Sequence, residues 1–293
     1  MMIFLDNLIN GLSLGSIYAI IALGYTMVYG IAKMLNFAHG DVIMIGGYVS
    51  FLAAVNLGLP PLVSVLIAMV VCTCLGIGIE ALAYKPLRNA PSLAVLITAI
   101  GVSYFLQNSA LLIFGANPKA YTPVVAGTLQ LFDGQLTISY ISLLTVACCI
   151  VIMVGLTLFT SRTRMGKAMR ACSEDKGAAQ LMGINVNRTI SLTFAIGSAL
   201  AAVAGALLCS FSPTLMPTTG SMPGIKAFTA AVFGGIGSIP GAFLGGILLG
   251  VIEALAKGYI STQLSNSIVF AVLIIILLVR PAGLLGKHTQ EKV

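Results

Sequence analysis

The sequence predicts an all-α integral membrane protein, and three observations carry that prediction. Hydrophobic residues make up 58% of the chain and charged residues only 8%, whereas a soluble domain carries about a quarter charged residues. The mean hydropathy is +1.06. The apolar residues also fall into runs long enough to cross a bilayer core, which takes roughly 20 helical residues, and the charges gather in a few connectors. Runs and connectors use nearly all 293 residues, so one transmembrane domain over 1–293 is expected, with no separate catalytic or ligand-binding domain.

The first run covers 8–30. The N-terminal stretch MMIFLDNLINGLSLG lacks the basic region of a cleavable signal peptide and leads into a full-length span, so it is expected to remain in the mature protein. After it comes KMLNFAHGD, Lys33 to Asp41, where a cation, an amide, an imidazole and a carboxylate interrupt two apolar runs. Such a stretch cannot face lipid. Further runs lie at 42–58, 62–83, 93–114, 138–160, 189–211 and 264–281, with a glycine-rich apolar region at 226–256.

Basic residues orient these runs, because connectors rich in Lys and Arg stay on the cytoplasmic side. Lys85 and Arg88 follow the third run, and Arg280, Lys287 and Lys292 follow the last. Between 161 and 188 lie Arg162, Arg164, Lys167, Arg170, Lys176 and Arg188, six of the fifteen Lys and Arg residues. Placing these inside puts the N-terminus, with Asp6, outside together with 115–137, which carries Lys119 and Asp133, and with 212–225. The expected address is a bacterial inner membrane, N-terminus periplasmic and C-terminus cytoplasmic.

That orientation requires 226–256 to enter and leave on the same side. The region supplies a break in its middle, Gly234, Gly235, Gly237, Pro240 and Gly241, since proline cannot continue a helix without losing a backbone bond. The chain is thus expected to have about eight membrane segments, with broken or re-entrant helices near 33–41 and 226–256. One break early and one late is the pattern of transporter folds built on repeated units.

Several function classes are excluded by what the sequence lacks. Gly166-Lys167 and Gly286-Lys287 are followed by Ala168 and His288, so no phosphate-cradling loop is present. The two histidines, His39 and His288, are far apart and have no HExxH setting. Five of the six cysteines lie in apolar runs and Cys172 in the basic loop, so neither a disulfide framework nor a metal site is expected. The +7 charge sits in loops beside membrane runs and marks topology, so no nucleic-acid partner is expected.

Candidate residues at membrane depth are Asp41, Glu80, Lys226 and Glu253, with Asn36, His39, Gln107 and Asn108 as polar companions. Such groups face a cavity or a partner. For His39 and Asp41 the first reading is capping of a helix beginning at Val42, where a carboxylate meets the positive helix end; contact with a passing substrate is the second. Glycines within the runs allow close helix packing or leave a smooth lumen.

In the polar segment 161–188, Ser173 is a suitable N-cap, Glu174 and Asp175 place negative charge on a first turn, and Gly183 is a typical stop. A short helix from Glu174 to Met182 follows. Its small apolar face, Ala178, Ala179 and Met182, either enters a partner's groove or lies on the membrane; the residues alone leave both open.

Three segments carry a family resemblance: GYTMVYGIAKMLNFAHGDVIMIGGYV, RMGKAMRACSEDKGAAQLMGIN and IKAFTAAVFGGIGSIPGAFLGG. In this order, and nearly end to end, the chain resembles permease subunits of ATP-binding-cassette importers for branched-chain amino acids, the first permease of the pair. The resemblance implies a second, homologous permease, two cytoplasmic ATPases that hold the ATP and magnesium, and a periplasmic amino-acid-binding protein. It implies no cofactor and no catalytic residue on this chain. Such permeases carry an E-A-A-x-x-x-G type motif that docks in the ATPase, and Glu174, Ala178, Ala179 and Gly183 resemble it, with three residues between the glutamate and the alanines. By this resemblance the coupling set is Glu174, Asp175, Ala178, Ala179, Met182 and Gly183. The candidate path and broken-helix set is Asn36, His39, Asp41, Lys226, Gly234, Gly235, Gly237 and Pro240. Neighbouring permeases for urea, short amides or other amino acids share the NFAHGD and GGIGSIPGA signatures, and a proton-coupled carrier or channel is the reading from another class.

Overall fold

The computed structural model describes residues 2–88, 90–131 and 136–286; Asp133, Lys287, His288 and Lys292 lie outside them. The chain opens with a 31-residue helix, α1 (Met2–Ala32), followed after a non-helical stretch by α2 (His39–Val55). Pro60 and Pro91 then sit just before α3 (Pro61–Ile79) and α4 (Ser92–Phe114), at a helix start where no N–H is needed. α3 runs on through a π-helical turn, Glu80–Tyr84, and a 3-10 turn, Lys85–Leu87.

Short strands β1 (Lys119–Ala120), β2 (Thr128–Leu131) and β3 (Leu136–Ser139) lead into α5 (Tyr140–Arg162). The basic segment holds α6 (Arg164–Glu174) and α7 (Lys176–Leu181), and α8 (Val186–Phe211) and β4 (Thr214–Leu215) follow. The last elements are α9 (Ser221–Gly234), α10 (Ile239–Tyr259) and α11 (Ser265–Val279). Among the described residues, α1, α3 with its extension, α4, α5, α8 and α10 are long and apolar enough to cross a membrane, while α2 and α11 are shorter.

Two features depart from the expected pattern. The strands, absent from an all-α expectation, pair β1 with β4 and β2 with β3, both antiparallel, with Lys119 opposite Leu215 and Thr128 opposite Ser139. They are two small clasps, and Leu215 of β4 is buried with Met44 and Tyr48 of α2. In the second feature, 226–256 does not form two half-helices: α9 is short, but α10 has 21 residues and is itself of spanning length. The Gly235–Ser238 turn between them lies against Gly30, close to the end of α1, and so at one end of the bundle rather than in its middle. Pro240 sits in the first turn of α10, where Ser238 Oγ accepts the Gly241 N–H at 3.2 Å.

The bundle has a basic end and an opposite end. Lys176 Nζ donates to the Ala32 carbonyl at 2.7 Å, which puts the 161–188 segment beside the last turn of α1. At the other end the β1–β4 clasp holds 119–120 to 214–215, and Gly258 packs on Asn7. Thus the chain from β4 through α9 and α10 leaves and regains the same end of the bundle.

Inside, α1 is the hub. Buried residues make up 89% of its most apolar window, against 17% for α4, so the outer helices present apolar faces to lipid or to another subunit. α1 packs most extensively along α10, and the reason is small residues on both. A Cβ on Gly250 would overlap the Gly15 backbone, one on Gly246 would overlap Ala19, and one on Gly15 would meet the Ile247 carbonyl at 2.7 Å. Helix pairs in lipid gain from such close approach, because no hydrophobic force brings them together there. A Cβ on Gly78, by contrast, would meet nothing within 4 Å.

These two glycines give a contrast to measure in detergent by thermal unfolding. Gly250→Ala, which forces backbones apart, should cost about 1–3 kcal/mol or more, with a lower Tm. Gly78→Ala should leave Tm unchanged or slightly raised. Equal Tm values for the two variants would contradict the close α1–α10 contact.

Candidate functional site

The basic segment folds as two helices because two caps divide it. Thr163 Oγ1 accepts the Gly166 N–H at 2.9 Å and starts α6. Asp175 Oδ1 accepts the N–H groups of Gly177 (2.7 Å) and Ala178 (3.0 Å) and starts α7. The expected cap, Ser173, instead donates back to the Arg170 carbonyl within α6 at 2.7 Å, and Glu174 ends α6 rather than beginning α7. Both Ser and Asp suit a cap; the fold uses the second. Gly183, at φ +81°, stops the helix, and the Ile184 N–H reaches back to the Ala179 carbonyl at 3.0 Å, the left-handed closure that favours glycine.

The faces of α7 differ from the expected set. Ala179 is buried with Met27 and Ile31 of α1 and Met169 and Cys172 of α6. It fixes α7 to its own chain. Ala178 and Gly183 are exposed, and Met182 is 83% exposed. Leu181, which the sequence reading passed over, is 90% exposed. A leucine and a methionine held outward at the end of this short helix form an apolar tip that the described residues leave uncovered.

Around this tip the basic end is braced. Arg88 pairs with the buried Glu80 and with Asn187, and Ser191 Oγ donates to Glu80 at 2.6 Å, tying the π-helical turn of α3 to the start of α8. Burial, with the Arg88 and Lys33 charges nearby, holds the Lys176 ammonium below the usual lysine range. Between α7 and this brace lies a cleft of about 680 Å³ walled by Lys85, Arg88, Lys176, Gln180, Asn185 and Asn187 among others.

The early break is held from several sides. Lys33, at φ +57°, turns the chain out of α1, and Asn36 Oδ1 accepts the Tyr84 hydroxyl at 2.9 Å. The chain then climbs back along α1 until His39 lies edge-on to Tyr25, with ring centroids 4.6 Å apart. Tyr25 is seven residues before Ala32, about 10 Å of helix. α2 therefore begins inside the bundle. Asp41 does not serve as its cap: the cap position is Ala38, without a side-chain bond, and Asp41 lies in the first turn. Its carboxylate accepts Gln107 Nε2 at 2.9 Å.

Lys226 belongs to a different arrangement. Its Nζ is 2.7 Å from Glu253 Oε1, which Lys257 Nζ approaches at 2.6 Å, while Tyr18 donates to Glu253 Oε2 at 2.9 Å. One carboxylate thus joins α1, α9 and α10. Gly234, Gly235, Gly237 and Pro240 sit at the α9–α10 turn near the basic end, away from Asp41. The structure therefore brings Asn36, His39 and Asp41 to one break, and sets Lys226 and the glycine turn apart from it.

Residues 7–278 match the family model described as the permease component of branched-chain amino acid transport systems. A high-affinity branched-chain amino acid transport system permease protein, BraD of Pseudomonas aeruginosa, is 48% identical over 99% of this chain and 98% of that one. The corresponding LivH of Escherichia coli K12 is also 48% identical, over 99% and 98%. A probable LivH of Methanocaldococcus jannaschii is 31% identical over 92% and 89%.

Because Lys226 and Glu253 are both buried, breaking the pair exposes its role. Glu253→Gln should lower stability by about 3–5 kcal/mol by leaving a buried ammonium uncompensated, read as a fall in Tm. The double variant Lys226→Met, Glu253→Gln should recover most of it. No recovery would mean that Lys226 serves something other than this pair.

Proposed function

The chain belongs to the permease family of branched-chain amino acid transport systems, and from that premise we propose that it forms one half of the membrane path of an importer for leucine, isoleucine and valine. The other parts are a second, homologous permease, two cytoplasmic ATPases that bind ATP and magnesium, and a periplasmic amino-acid-binding protein. The membrane is the bacterial inner membrane, with the basic end in the cytoplasm and the N-terminus in the periplasm, as the positive-inside rule directs. The chain moves its substrate without changing it, and ATP hydrolysis belongs to the separate subunits.

The observation that carries this reading is the two-sided α7. Its buried side, Ala179, is fixed to α1, and its outward side, Leu181 and Met182, is an uncovered apolar tip at the basic end. We assign the tip, with Ala178 and Gly183, to a groove of the ATPase. Asp175 acts inside the chain as the cap, and Glu174 sets the spacing from α6.

A mechanism follows from the connections. When nucleotide closes the ATPase pair, a gripped α7 moves, and it cannot move alone. Lys176 holds the last carbonyl of α1, and Ala179 packs on Met27 and Ile31. The displacement passes directly to the end of α1 and to the break at Lys33–Ala38, which opens toward one face or the other. The driving free energy is the difference in nucleotide affinity between the two states.

Leu181→Asp should weaken recovery of the ATPases with the permease by roughly tenfold or more, the scale of losing one central apolar contact. Membrane insertion and Tm should stay unchanged, since Leu181 touches little of its own chain. ATP-driven leucine uptake by the reconstituted complex should fall in parallel. Normal uptake by this variant would remove the docking assignment. For the whole reading, uptake must require ATP and persist with an uncoupler present; uptake that survives ATP depletion but collapses with an uncoupler would favour a proton-driven carrier.

A further inference from the structure

Among the described residues three carboxylates are buried among the helices, and two of them have cations. Glu80 has Arg88, and Glu253 has Lys226 and Lys257. Asp41, 2% exposed, has no cationic partner among the described residues. Its bonded neighbour is an amide, Gln107, whose Nε2 lies 3.3 Å from both Ser103 Oγ and Ser221 Oγ. A buried carboxylate that keeps its charge at membrane depth without a cation is costly, and such groups mark pathways for charged cargo.

The setting places two helix starts beside this carboxylate. α2 begins at His39 and α9 at Ser221, and their first turns touch: a Cβ on Gly40 would meet the Gly220 carbonyl at 2.8 Å, and one on Gly224 would meet Gly40 Cα at 2.9 Å. The two helices then run toward opposite ends of the bundle. Two positive helix ends therefore converge beside Asp41, the arrangement found where transporters hold charged groups at the midplane. They favour the carboxylate as an anion but leave it without a full counter-charge.

Beside Asp41 is a cavity of about 320 Å³. Its lining includes the polar Asp41, Ser103, Gln107 and Ser221 and the apolar Phe37, Ile100 and Ile225. It is bounded by α4 and α9 on a side where Tyr104, Ile100 and Ile225 are partly exposed. A charged cavity cannot open onto lipid tails. This face must meet protein or a water-filled path.

We propose that the Asp41 cavity is a station for the passing amino acid, with the Asp41 carboxylate receiving its α-ammonium. The apolar wall of Phe37, Ile100 and Ile225 takes the branched side chain. The substrate carboxylate faces the positive end of α9, whose cap residue Gly220 has no side chain. The cavity mouth between α4 and α9 faces the shared path of the two permeases. This inference rests on the importer reading above. The alternative is that Asp41 only balances two helix ends.

The experiment uses the complete importer, with binding protein, in proteoliposomes and radiolabelled leucine. If the wild-type complex fails to transport leucine, the importer reading fails; the Asp41 inference is judged on a complex that does transport. Asp41→Asn should then assemble with its partners but lose uptake roughly tenfold or more, since the charged bond is worth that much, and Asp41→Glu should restore part of it. Ile225→Trp, which narrows the cavity without touching the carboxylate, should also reduce uptake. Separately, Ser103→Cys with all six native cysteines replaced should react with a cationic thiol reagent more slowly when leucine is in excess. Adding Asp41→Asn should abolish that protection. Wild-type uptake by Asp41→Asn overturns the proposal, as does an absence of leucine protection in a transporting complex. Failure of both Asp41→Asn and Asp41→Glu to assemble would assign Asp41 to the helix ends alone.

Discussion

A backbone that stops being helical among apolar helices must have its freed polar groups covered by protein, and this constraint organises the structure. The chain leaves α1 at Ala32 and does not resume a helix until His39. The Ala32 carbonyl and two side chains of this stretch find partners from different elements. Lys176 takes the last α1 carbonyl, Tyr84 takes the Asn36 amide oxygen, and Tyr25 packs on the His39 ring. The π-helical turn that presents Tyr84 is in turn braced by Arg88 and the start of α8. Covering one short break thus recruits α1, α3, α7 and α8.

The same constraint separates structural charges from mobile ones. Glu80 and Glu253 are neutralised by cations of the same chain and serve as rivets between helices. Replacing such a pair by apolar residues is often neutral, so their value lies in fixing which helix meets which. Asp41 differs in kind, because its partners are neutral donors and the positive ends of α2 and α9. Charge that is balanced by dipoles is available to a transient ligand in a way that an ion-paired carboxylate is not.

Much of this was legible in the chain. Hydropathy placed the spans, and clustered Lys and Arg residues distinguished the ends. A cation, an amide, an imidazole and a carboxylate in nine residues marked the early break, and Gly183 marked the stop of α7. What stayed hidden depended on distant residues. Ala179 faces inward because Met27 and Ile31 are there to receive it, and nothing in KGAAQLMG says so. Leu181 was overlooked because a helix of six residues has too few turns for a periodicity to define its faces. The pairing of Lys226 with Glu253 spans 27 residues and that of Asp41 with Gln107 spans 66; neither has a local signature. Gly235 and Pro240 announced a turn correctly, but not that α10 beyond it would be a full span.

The C-terminal segment after α11 returns to the α9–α10 turn. There the Leu284 and Leu285 N–H groups donate to the Phe233 and Gly234 carbonyls, each at 2.9 Å, and Gly283 fits against Gly235 where a Cβ would come within 2.6 Å of its nitrogen. Those carbonyls belong to the end of α9, which has no helical partners left to offer them. During synthesis they must wait for residues made long afterwards. The hairpin can enter the membrane early, but its tip is sealed last. The order in which the ribosome releases the chain is therefore built into its final locking step.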